Sequence, residues 1–401
     1  MDRLPEASRV SPWELGLHLA VTTGLGAIFV TLVLNLRVFG KPVPPSGAEG
    51  TGARVSVLIP ARDEEHRIGP CLESLRAQAS AEVEIVVLDD HSTDRTAAVA
   101  EGLGFSETGD RLRLVRGRDL PEGWTGKGWA CHQLAQQARG EWLLFADADT
   151  VHAPGSVVAL VNYARATGAD LLSAWPRQIM GSWSERLVIP LIALLILGFL
   201  PQWLLVLAQR SPFLARLLGP RAASLGAANG QCLLFRRAAY DRIGGHAAVR
   251  DHLVEDVALG RRVAARTAEG MRLVNCDGSD WVRCRMYENF AGVWEGFTKN
   301  LRPAFEGRPA LFVLSLVIQF VCLILPFFLV VVHPSAWAAA ECVAVFAIRS
   351  LLALRGGMPV WIGLLHPFAH LLALGIAMNS WRQCLGAGVT WKGRRYRPSG
   401  G

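Results

Sequence analysis

The sequence predicts an α/β domain with a parallel sheet, attached to a membrane by apolar helices before and after it. From Arg54 onward, short β-branched runs alternate with amphipathic stretches, which is the pattern of strand–helix–strand units. Apolar blocks long enough to cross a bilayer precede and follow that region. Hydrophobic residues make up 51% of the 401 residues, and the mean hydropathy is +0.28. Soluble domains rarely carry so many apolar residues.

Charge and cysteine content narrow the class of protein. The net charge is +7, which in a membrane protein indicates basic cytoplasmic loops and contact with anionic headgroups. No nucleic-acid recognition motif accompanies the charge, so no nucleic-acid partner is predicted. The eight cysteines contain no C-x-x-C pair. This argues against a zinc site or a disulfide framework and fits a reducing cytosol.

The first apolar block covers residues 15–36 and is long enough to cross a hydrocarbon core as a helix. Arg37 and Lys41 follow it directly, which favours a cytosolic position for the next domain. We therefore predict an N-terminal transmembrane anchor over residues 1–41. A linker containing proline and glycine, including Gly47, then leads to residue 52.

The sheet domain is predicted from four buried strands at residues 55–60, 83–88, 112–115 and 142–146. Helical stretches lie between them at residues 67–79, 94–103 and 129–139. This order predicts a parallel sheet covered by helices, with ligands bound at the carboxyl ends of the strands.

A second apolar block, residues 187–208, interrupts the sheet domain and contains Pro190 and Pro201. A full membrane crossing would separate the two halves of one domain. We therefore predict an interfacial segment or a re-entrant hairpin. A buried core helix is the alternative, since prolines and this length also suit internal packing.

The C-terminal region, residues 308–382, is predicted to form membrane helices at 310–332, 336–354 and 360–380, the last broken at His366-Pro367. The tail, residues 383–401, is strongly basic between Trp391 and Arg397 and is expected in the cytosol. Three crossings after a cytosolic domain would place it on the other side, so one segment is expected to be re-entrant.

Acidic residues follow three of the four strands. The first strand runs into PARDEE at residues 60–65, the second into DDHSTD at 89–94, and the fourth into DAD at 147–149. Carboxylates gathered at one sheet edge repel one another unless a ligand or cation uses them. Asp147 and Asp149 point the same way in an extended strand, and their hard oxygens suit Mg²⁺ or Mn²⁺ on a diphosphate. Helix capping is the alternative for each Asp, above all for Asp94.

Two nucleotide-binding classes are excluded by the loop after the first strand. It lacks G-x-G-x-x-G, and no G-x-x-x-x-G-K-[ST] occurs in the chain. The sequence is therefore not that of a dinucleotide-dependent dehydrogenase or a P-loop NTPase.

Four motifs carry a family resemblance: IPARDEE, VVLDDHSTD, ADADT and the Glu255-Asp256 pair in VEDVALGRRV. Their order and spacing resemble glycosyltransferase family 2, inverting enzymes with a GT-A fold. The segments GWTGKGW, GAANGQ and WEGFTKN and the Trp391 tail are similar to membrane-bound members that glycosylate lipids, such as hopene-associated and carotenoid glycosyltransferases. On this resemblance, residues 52–307 form the GT-A catalytic domain.

The resemblance implies a nucleotide-sugar donor, most naturally a UDP-sugar, a divalent metal ion and a role for each matching residue. Asp90 would accept a hydrogen bond from the base, Asp149 would bind the metal, and Asp256 would be the catalytic base. Asp147 would meet the ribose or the metal. The remaining matches, which would line the donor pocket, are Pro60, Arg62, Glu64 and Lys127.

The expected activity is inverting transfer of a hexose to a membrane lipid such as a carotenoid, hopanoid or glycerolipid. The enzyme would be a multi-pass protein of the inner (plasma) membrane with its catalytic domain in the cytosol. A processive polysaccharide synthase is one alternative, but such enzymes carry Gln-x-x-Arg-Trp after the base, and the sequence lacks it. An inactive membrane scaffold is the other, although every acidic residue of the motifs is present.

Overall fold

A computed structural model describes residues 11–44, 50, 52–78, 80, 82–386 and 388–396. The first ten residues of the predicted anchor, Gly47 of the predicted linker and Arg397 of the basic tail lie outside this set.

The described residues form twelve strands and fifteen α-helices. The strands are β1 (Val55–Ala61), β2 (Val83–Asp89), β3 (Leu112–Arg116), β4 (Trp142–Ala146), β5 (Thr150–His152), β6 (Leu171–Trp175), β7 (Arg177–Gln178), β8 (Cys232–Arg236), β9 (Leu273–Asp277), β10 (Val282–Cys284), β11 (Val389–Trp391) and β12 (Arg394–Tyr396). The helices are α1 (Pro12–Val38), α2 (Ile68–Arg76), α3 (Thr96–Gly102), α4 (Gly126–Gln137), α5 (Ser156–Thr167), α6 (Trp183–Phe199), α7 (Gln202–Arg210), α8 (Pro212–Leu218), α9 (Arg237–Arg242), α10 (Glu255–Ala264), α11 (Phe290–Leu301), α12 (Pro309–Leu323), α13 (Leu325–Val332), α14 (Ala336–Arg355) and α15 (His366–Leu385).

The main sheet has the strand order β3-β2-β1-β4-β8-β6-β9. The four predicted strands are present and lie side by side in parallel. The parallel arrangement predicted for these strands is present, and β8, a strand that was not predicted, runs antiparallel to both β4 and β6. The sequence of β8, CLLFR, is a short apolar run, and such a run carries no signal of direction. The sheet is therefore mixed, with a parallel half that holds the acidic strand ends.

The central strands are buried on both faces, as parallel strands covered by helices should be. In β1, Val57 and Ile59 enter one hydrophobic layer while Leu58 enters the opposite one. In β4, Leu144 and Phe145 divide between the layers in the same way. This alternation fixes the register of the strands, so the residues just after them reach the carboxyl edge in a defined order.

Helix α1 begins with a capping box, in which Ser11 and Glu14 each accept a hydrogen bond from the other's backbone. Near its other end Asn35 is fully buried. The Asn35 amide donates to the carbonyls of Leu197 and Leu200 at 2.8 and 2.7 Å. Its side-chain oxygen accepts from the Trp203 backbone N–H at 2.9 Å. The single polar interruption near the end of α1 thus satisfies backbone groups where α6 ends and α7 begins.

The apolar block predicted at residues 187–208 forms α6 and α7, which meet at an angle of 44°. Pro190 lies inside α6 and Pro201 at the bend. Both outer ends are joined to the sheet domain. Arg285 lies 3.6 Å from the Glu185 carboxylate at the start of α6, and the Gln209 amide at the end of α7 donates to the Leu273 carbonyl at 3.0 Å.

Four helical segments in the described part of the chain are long and apolar enough to cross a membrane, namely Pro12–Val38, Pro309–Val332, Ala336–Arg355 and Val360–Leu385. They reproduce the predicted apolar segments closely. The expected break at His366-Pro367 is a change of helix type, because a 3-10 helix over Val360–Leu365 ends there. His366 is the first residue of α15, and Pro367 sits in its first turn, where a proline removes no hydrogen bond.

The last of these segments begins and ends against the sheet domain. Just before it, Arg355 pairs with Asp277 at 2.8 Å, and Gly357 lies beside the Arg177 guanidinium. Towards its other end, the Ser380 hydroxyl accepts from the Arg302 backbone at 3.0 Å. The β11–β12 hairpin that follows it returns to the carboxyl edge of the main sheet.

Candidate active site

The acidic motifs meet at the carboxyl edge of the parallel strands. β1 leads into Arg62 and Glu64, β2 into Asp90, and β4 into Asp147. Because β1 pairs in parallel with both β2 and β4, these three strand ends are neighbours, as the sequence predicts. A cleft opens there, lined by Pro60, Lys127, Cys131, Phe145, Ala146, Asp147, Gly230, Leu233, His246 and Glu255.

Lys127 joins two acidic motifs that are distant in sequence. Its Nζ lies 2.6 Å from Asp147 Oδ1 and 3.2 Å from Glu255 Oε1. Burial favours the neutral amine, but these carboxylates hold the pKa of Lys127 well above its ordinary value. Burial likewise opposes ionisation of Glu255, yet Lys127 and then Lys299 hold the pKa of Glu255 below its usual range. Glu255 therefore positions Lys127.

Asp149 presents a carboxylate oxygen that its own chain does not use. Its Oδ1 is buried and has no hydrogen-bond partner among the described residues. Burial first, and then the charge of Asp147, raise the pKa of Asp149 to about 7. A nearby cation would relieve both effects. Within the residues the structure describes, no group of three or more His, Cys, Asp or Glu could hold an ion alone, so an ion here would also need oxygens from a bound diphosphate.

Asp256 lies at the start of α10 and is held by two backbone groups. Its Oδ2 accepts from the Gly230 N–H at 2.6 Å, and its Oδ1 from the Val257 N–H at 2.8 Å. A Cβ at position 230 would lie 2.9 Å from the Asp256 carboxylate, so this close approach requires glycine. Burial and then the charge of Glu255 raise the pKa of Asp256 to about 6.

His246 has no role predicted from sequence, yet it lines the cleft. It is buried, its Nδ1 lies 2.8 Å from the Tyr240 hydroxyl, and burial lowers its pKa to about 3. It is therefore a neutral ring in the cleft wall near pH 7. A lone histidine after a glycine turn carries no sequence signal of burial.

Two motif residues hold loops together. The Arg62 guanidinium donates to the backbone carbonyl of Asp90 at 2.7 Å, which ties the loop after β1 to the loop after β2. Asp94 accepts from the backbone N–H groups of Thr96 and Glu65 at 2.9 and 3.0 Å. Asp94 thus joins the loop after β1 to the turn before α3, and it is not the helix cap that was the alternative, because the N-cap residue of α3 is Arg95.

The β11–β12 hairpin of the basic tail covers part of the same edge, a contact that the sequence analysis missed. Lys392 and Gly393 form its turn with φ values of 45° and 74°. The Lys392 amine contacts the Glu64 carboxylate and donates to the Arg62 carbonyl at 2.7 Å. Arg394 makes a bidentate pair with Asp90, at 2.5 and 3.2 Å.

Aromatic residues fix the hairpin in place. The Lys299 amine lies 4.8 Å from the centre of the Trp391 ring, and the Tyr396 hydroxyl accepts from the Gly126 N–H at 3.3 Å, next to Lys127. The alternation of basic and aromatic residues in the tail was the signal that could have indicated a binding element opposite an acidic edge.

Comparisons with known proteins agree with this geometry. The model of "Glycosyl transferase family 2" matches residues 56–244. The 4,4'-diaponeurosporenoate glycosyltransferases of Staphylococcus aureus strains MRSA252 and USA300 are 29% and 28% identical to this chain. Each alignment covers 85% of this chain and 88% of the relative.

A solved structure shows the same fold. The mannosyltransferase PcManGT from Pyrobaculum calidifontis, in complex with GDP-Man and Mn²⁺, matches 92% of this chain and 98% of its own with a TM-score of 0.53 at 18% identity. The predicted GT-A fold is thereby confirmed. With this fold, the family 2 model over residues 56–244 and relatives along most of its length, the chain carries a glycosyltransferase family 2 domain and is a glycosyltransferase.

Proposed function

We propose that this glycosyltransferase transfers one hexose, with inversion, from a UDP-sugar to a hydroxyl or carboxyl group of a membrane lipid such as a carotenoid, hopanoid or glycerolipid. The observation that carries the proposal is the position of the acidic edge beside apolar helices. In one hydrophobic cluster, Tyr287 of the catalytic domain packs with Val188 of α6, Phe297 of α11 and Ile376 of α15. The S. aureus relatives, which are named for a carotenoid acid, support a lipid acceptor.

In this proposal the donor lies along the edge formed by Pro60, Arg62, Glu64, Asp90 and Lys127. The uracil ring of the donor hydrogen-bonds to Asp90, the carboxylate that Arg394 contacts. When the donor binds, Arg394 therefore either shares the Asp90 carboxylate with the uracil ring or gives up its contact with Asp90. Lys127 and Lys392 add positive charge near the diphosphate, which stabilises charge that develops on the leaving group.

Asp147 and Asp149 fit a divalent cation such as Mg²⁺ or Mn²⁺, given the unpartnered buried oxygen of Asp149. Such an ion, when bound together with the donor, supplies Lewis acidity to the leaving diphosphate. The two carboxylates provide hard oxygen ligands, and Lys127 orients Asp147.

Asp256 is proposed as the base that removes the acceptor proton. The Gly230 and Val257 N–H groups fix the carboxylate, so the acceptor oxygen approaches a rigid proton acceptor. Attack from the face opposite the leaving group inverts the anomeric centre, and the sugar becomes oxocarbenium-like as the bond to the diphosphate breaks.

The pH profile follows from the pKa of Asp256, which burial raises to about 6. A general base acts only when it is ionised. At saturating Mn²⁺, which would keep Asp149 ionised, we therefore expect kcat/KM to be constant above pH 7 and to fall about tenfold per pH unit well below pH 6. Steady-state rates between pH 5 and 8 measure this, with UDP binding followed in parallel as the control. A rate unchanged down to pH 5 at constant donor affinity would exclude Asp256 as the base.

The α6–α7 pair is proposed to lie in the cytosolic membrane interface and to guide the lipid acceptor towards Asp256. Both its ends contact the catalytic domain. Trp183 at the start of α6 is 61% exposed and stacks on Phe290 of α11, as aromatic residues do at a bilayer surface. We further propose that the catalytic domain and the basic tail are both cytosolic. Val360–Leu385 is then re-entrant, because a third crossing after the catalytic domain would place the tail on the other side. Three helices therefore cross the inner membrane.

This topology predicts the side from which introduced cysteines react. Ser184 is fully buried, so the exposed positions Arg186 and Arg210 are better probes of the two ends of the pair. In a background without Cys384, whose thiol is partly exposed, both Arg186→Cys and Arg210→Cys should label from the cytosolic side only. Pro334→Cys, between α13 and α14, is the matched control and should label only from the opposite side. Labelling of positions 186 and 210 from opposite sides would mean a true crossing.

The proposed activity is tested with lipid extracts of an expressing strain and a panel of labelled nucleotide sugars. We expect a single labelled hexose on a chloroform-soluble lipid, with UDP released. A labelled polymer would instead support a processive synthase. Absence of transfer with every donor, while UDP still binds, would support an inactive scaffold.

A further inference from the structure

Three basic side chains lie together inside the membrane helices, away from the active site. Arg349 of α14 is 2% exposed, and His366 and His370 of α15 are 0% and 1% exposed. The two imidazole rings are 5.1 Å apart, and Arg349 is close enough to interact electrostatically with both. Arg355, near the end of α14, contacts the catalytic domain, and Arg349 lies six residues before it. The cluster is therefore about 9 Å along α14 from that end.

Most hydrogen-bonding groups of this cluster have no partner in the described part of the chain. These groups are Nε and Nη1 of Arg349, Nδ1 of His366 and both ring nitrogens of His370. The remaining ring nitrogen of His366 lies 3.2 Å from the Leu323 carbonyl. Because a carbonyl can only accept, His366 donates from that nitrogen, and its Nδ1 is an acceptor in the neutral ring. Buried polar groups in folded proteins are almost always paired, so the Arg349 N–H groups and the one N–H of His370 are expected to meet an acceptor from outside the chain.

The membrane segments do not supply the missing charge. Within the four candidate spans the acidic residues are Glu14 and Glu341. Glu14 belongs to the cap of α1, and Glu341 is engaged by His18 at 3.0 Å and Thr22 at 3.3 Å. Arginine remains charged at any physiological pH, and an unpaired charge within a bilayer is strongly unfavourable. A negative charge close to Arg349 would remove that penalty.

The chemistry of the cluster indicates what the occupant is. A guanidinium has donors only, and His370 can donate one hydrogen bond, whereas His366 already donates to the Leu323 carbonyl. The complement of Arg349 and His370 is therefore an oxyanion. The surrounding surface is apolar, since Trp361, Leu364 and Phe368 are exposed on the same segment, as expected of a surface that faces lipid. We propose that Arg349, His366 and His370 form a binding site for the oxyanion of a membrane lipid, a carboxylate or a phosphate.

The full-length protein in neutral maltoside detergent is tested by native mass spectrometry with three probes: oleate, phosphatidic acid and methyl oleate. The wild type should bind at least one anionic lipid and not the neutral ester. Arg349→Met should weaken that binding roughly 10- to 100-fold, the usual effect of losing a charge-assisted hydrogen bond. Arg308→Met, which removes an exposed cation at the start of α12, is the matched control and should bind as the wild type does.

Preference for oleate would identify a carboxylate-bearing lipid, including an acidic acceptor, and preference for phosphatidic acid a phospholipid headgroup. Equal binding of methyl oleate, or unchanged binding by Arg349→Met, would overturn the proposal. Arg349→Met should also unfold at the wild-type temperature or above in the absence of added lipid, because it removes an unpaired buried charge. An unfolding temperature of Arg349→Met clearly below that of Arg308→Met would mean that Arg349 has a partner within the protein. None of these measurements depends on sugar transfer, so they remain valid if the proposed activity fails.

Discussion

Replacing Asp256 by asparagine should lower turnover by at least about 10²-fold, the usual contribution of a general base. The amide cannot take up the acceptor proton, whereas the nucleotide pocket around Asp90 and Glu64 is untouched. The dissociation constant for UDP should therefore stay near its wild-type value. Steady-state turnover and calorimetric UDP binding measure the two effects separately.

Asp241→Asn is the matched control for this substitution, because Asp241 is an exposed carboxylate on α9, and it should leave turnover unchanged. Asp256 accepts two backbone hydrogen bonds, and an asparagine oxygen can readily satisfy only one of these donors. Thermal unfolding must therefore show that the variant is folded. A folded variant that loses UDP affinity instead of turnover would place Asp256 in the nucleotide pocket.

Replacing Asp149 by asparagine should abolish transfer and make UDP binding insensitive to Mn²⁺. The buried Oδ1 of Asp149 has no partner among the described residues, so a neutral amide removes negative charge where a cation is proposed. We expect Mn²⁺ to tighten UDP binding by the wild type and to have little effect on the variant. Asp110→Asn, at an exposed carboxylate that pairs with Arg139, is the control. Full wild-type activity in EDTA, or full activity of Asp149→Asn, would disprove a metal-dependent role.

Local patterns in the sequence were sufficient for the strands and for the acidic edge. β4 is a continuous apolar run, β1 and β2 are apolar runs that contain Ser56 and Glu84, and parallel neighbours necessarily bring their carboxyl ends together. The ion-pair network of Lys127, Asp147 and Glu255 was only partly predictable. The family resemblance placed Lys127 near the donor, but nothing local to Lys127 indicates that it pairs with a glutamate more than a hundred residues later.

The contacts that escaped prediction are long-range. Arg394 and Asp90 are separated by 304 positions, and periodicity in a short window carries no information about such a pair. β8 was missed for a related reason, because its pairing with β4 and β6 is also long-range. The burial of His246 similarly follows from tertiary packing against Tyr240.

The hairpin that contacts Asp90 and Glu64 has a consequence for the order in which the enzyme is made. A chain is synthesised from its N-terminus, and domains that have emerged begin to fold before later segments exist. The hairpin follows every candidate membrane helix in chain order. The proposed donor pocket therefore receives Lys392 and Arg394 only after the last of these helices, Val360–Leu385, has been made. A ribosome-bound chain can have a folded sheet but not a finished pocket, so final assembly of the active site is coupled to completion of the membrane part.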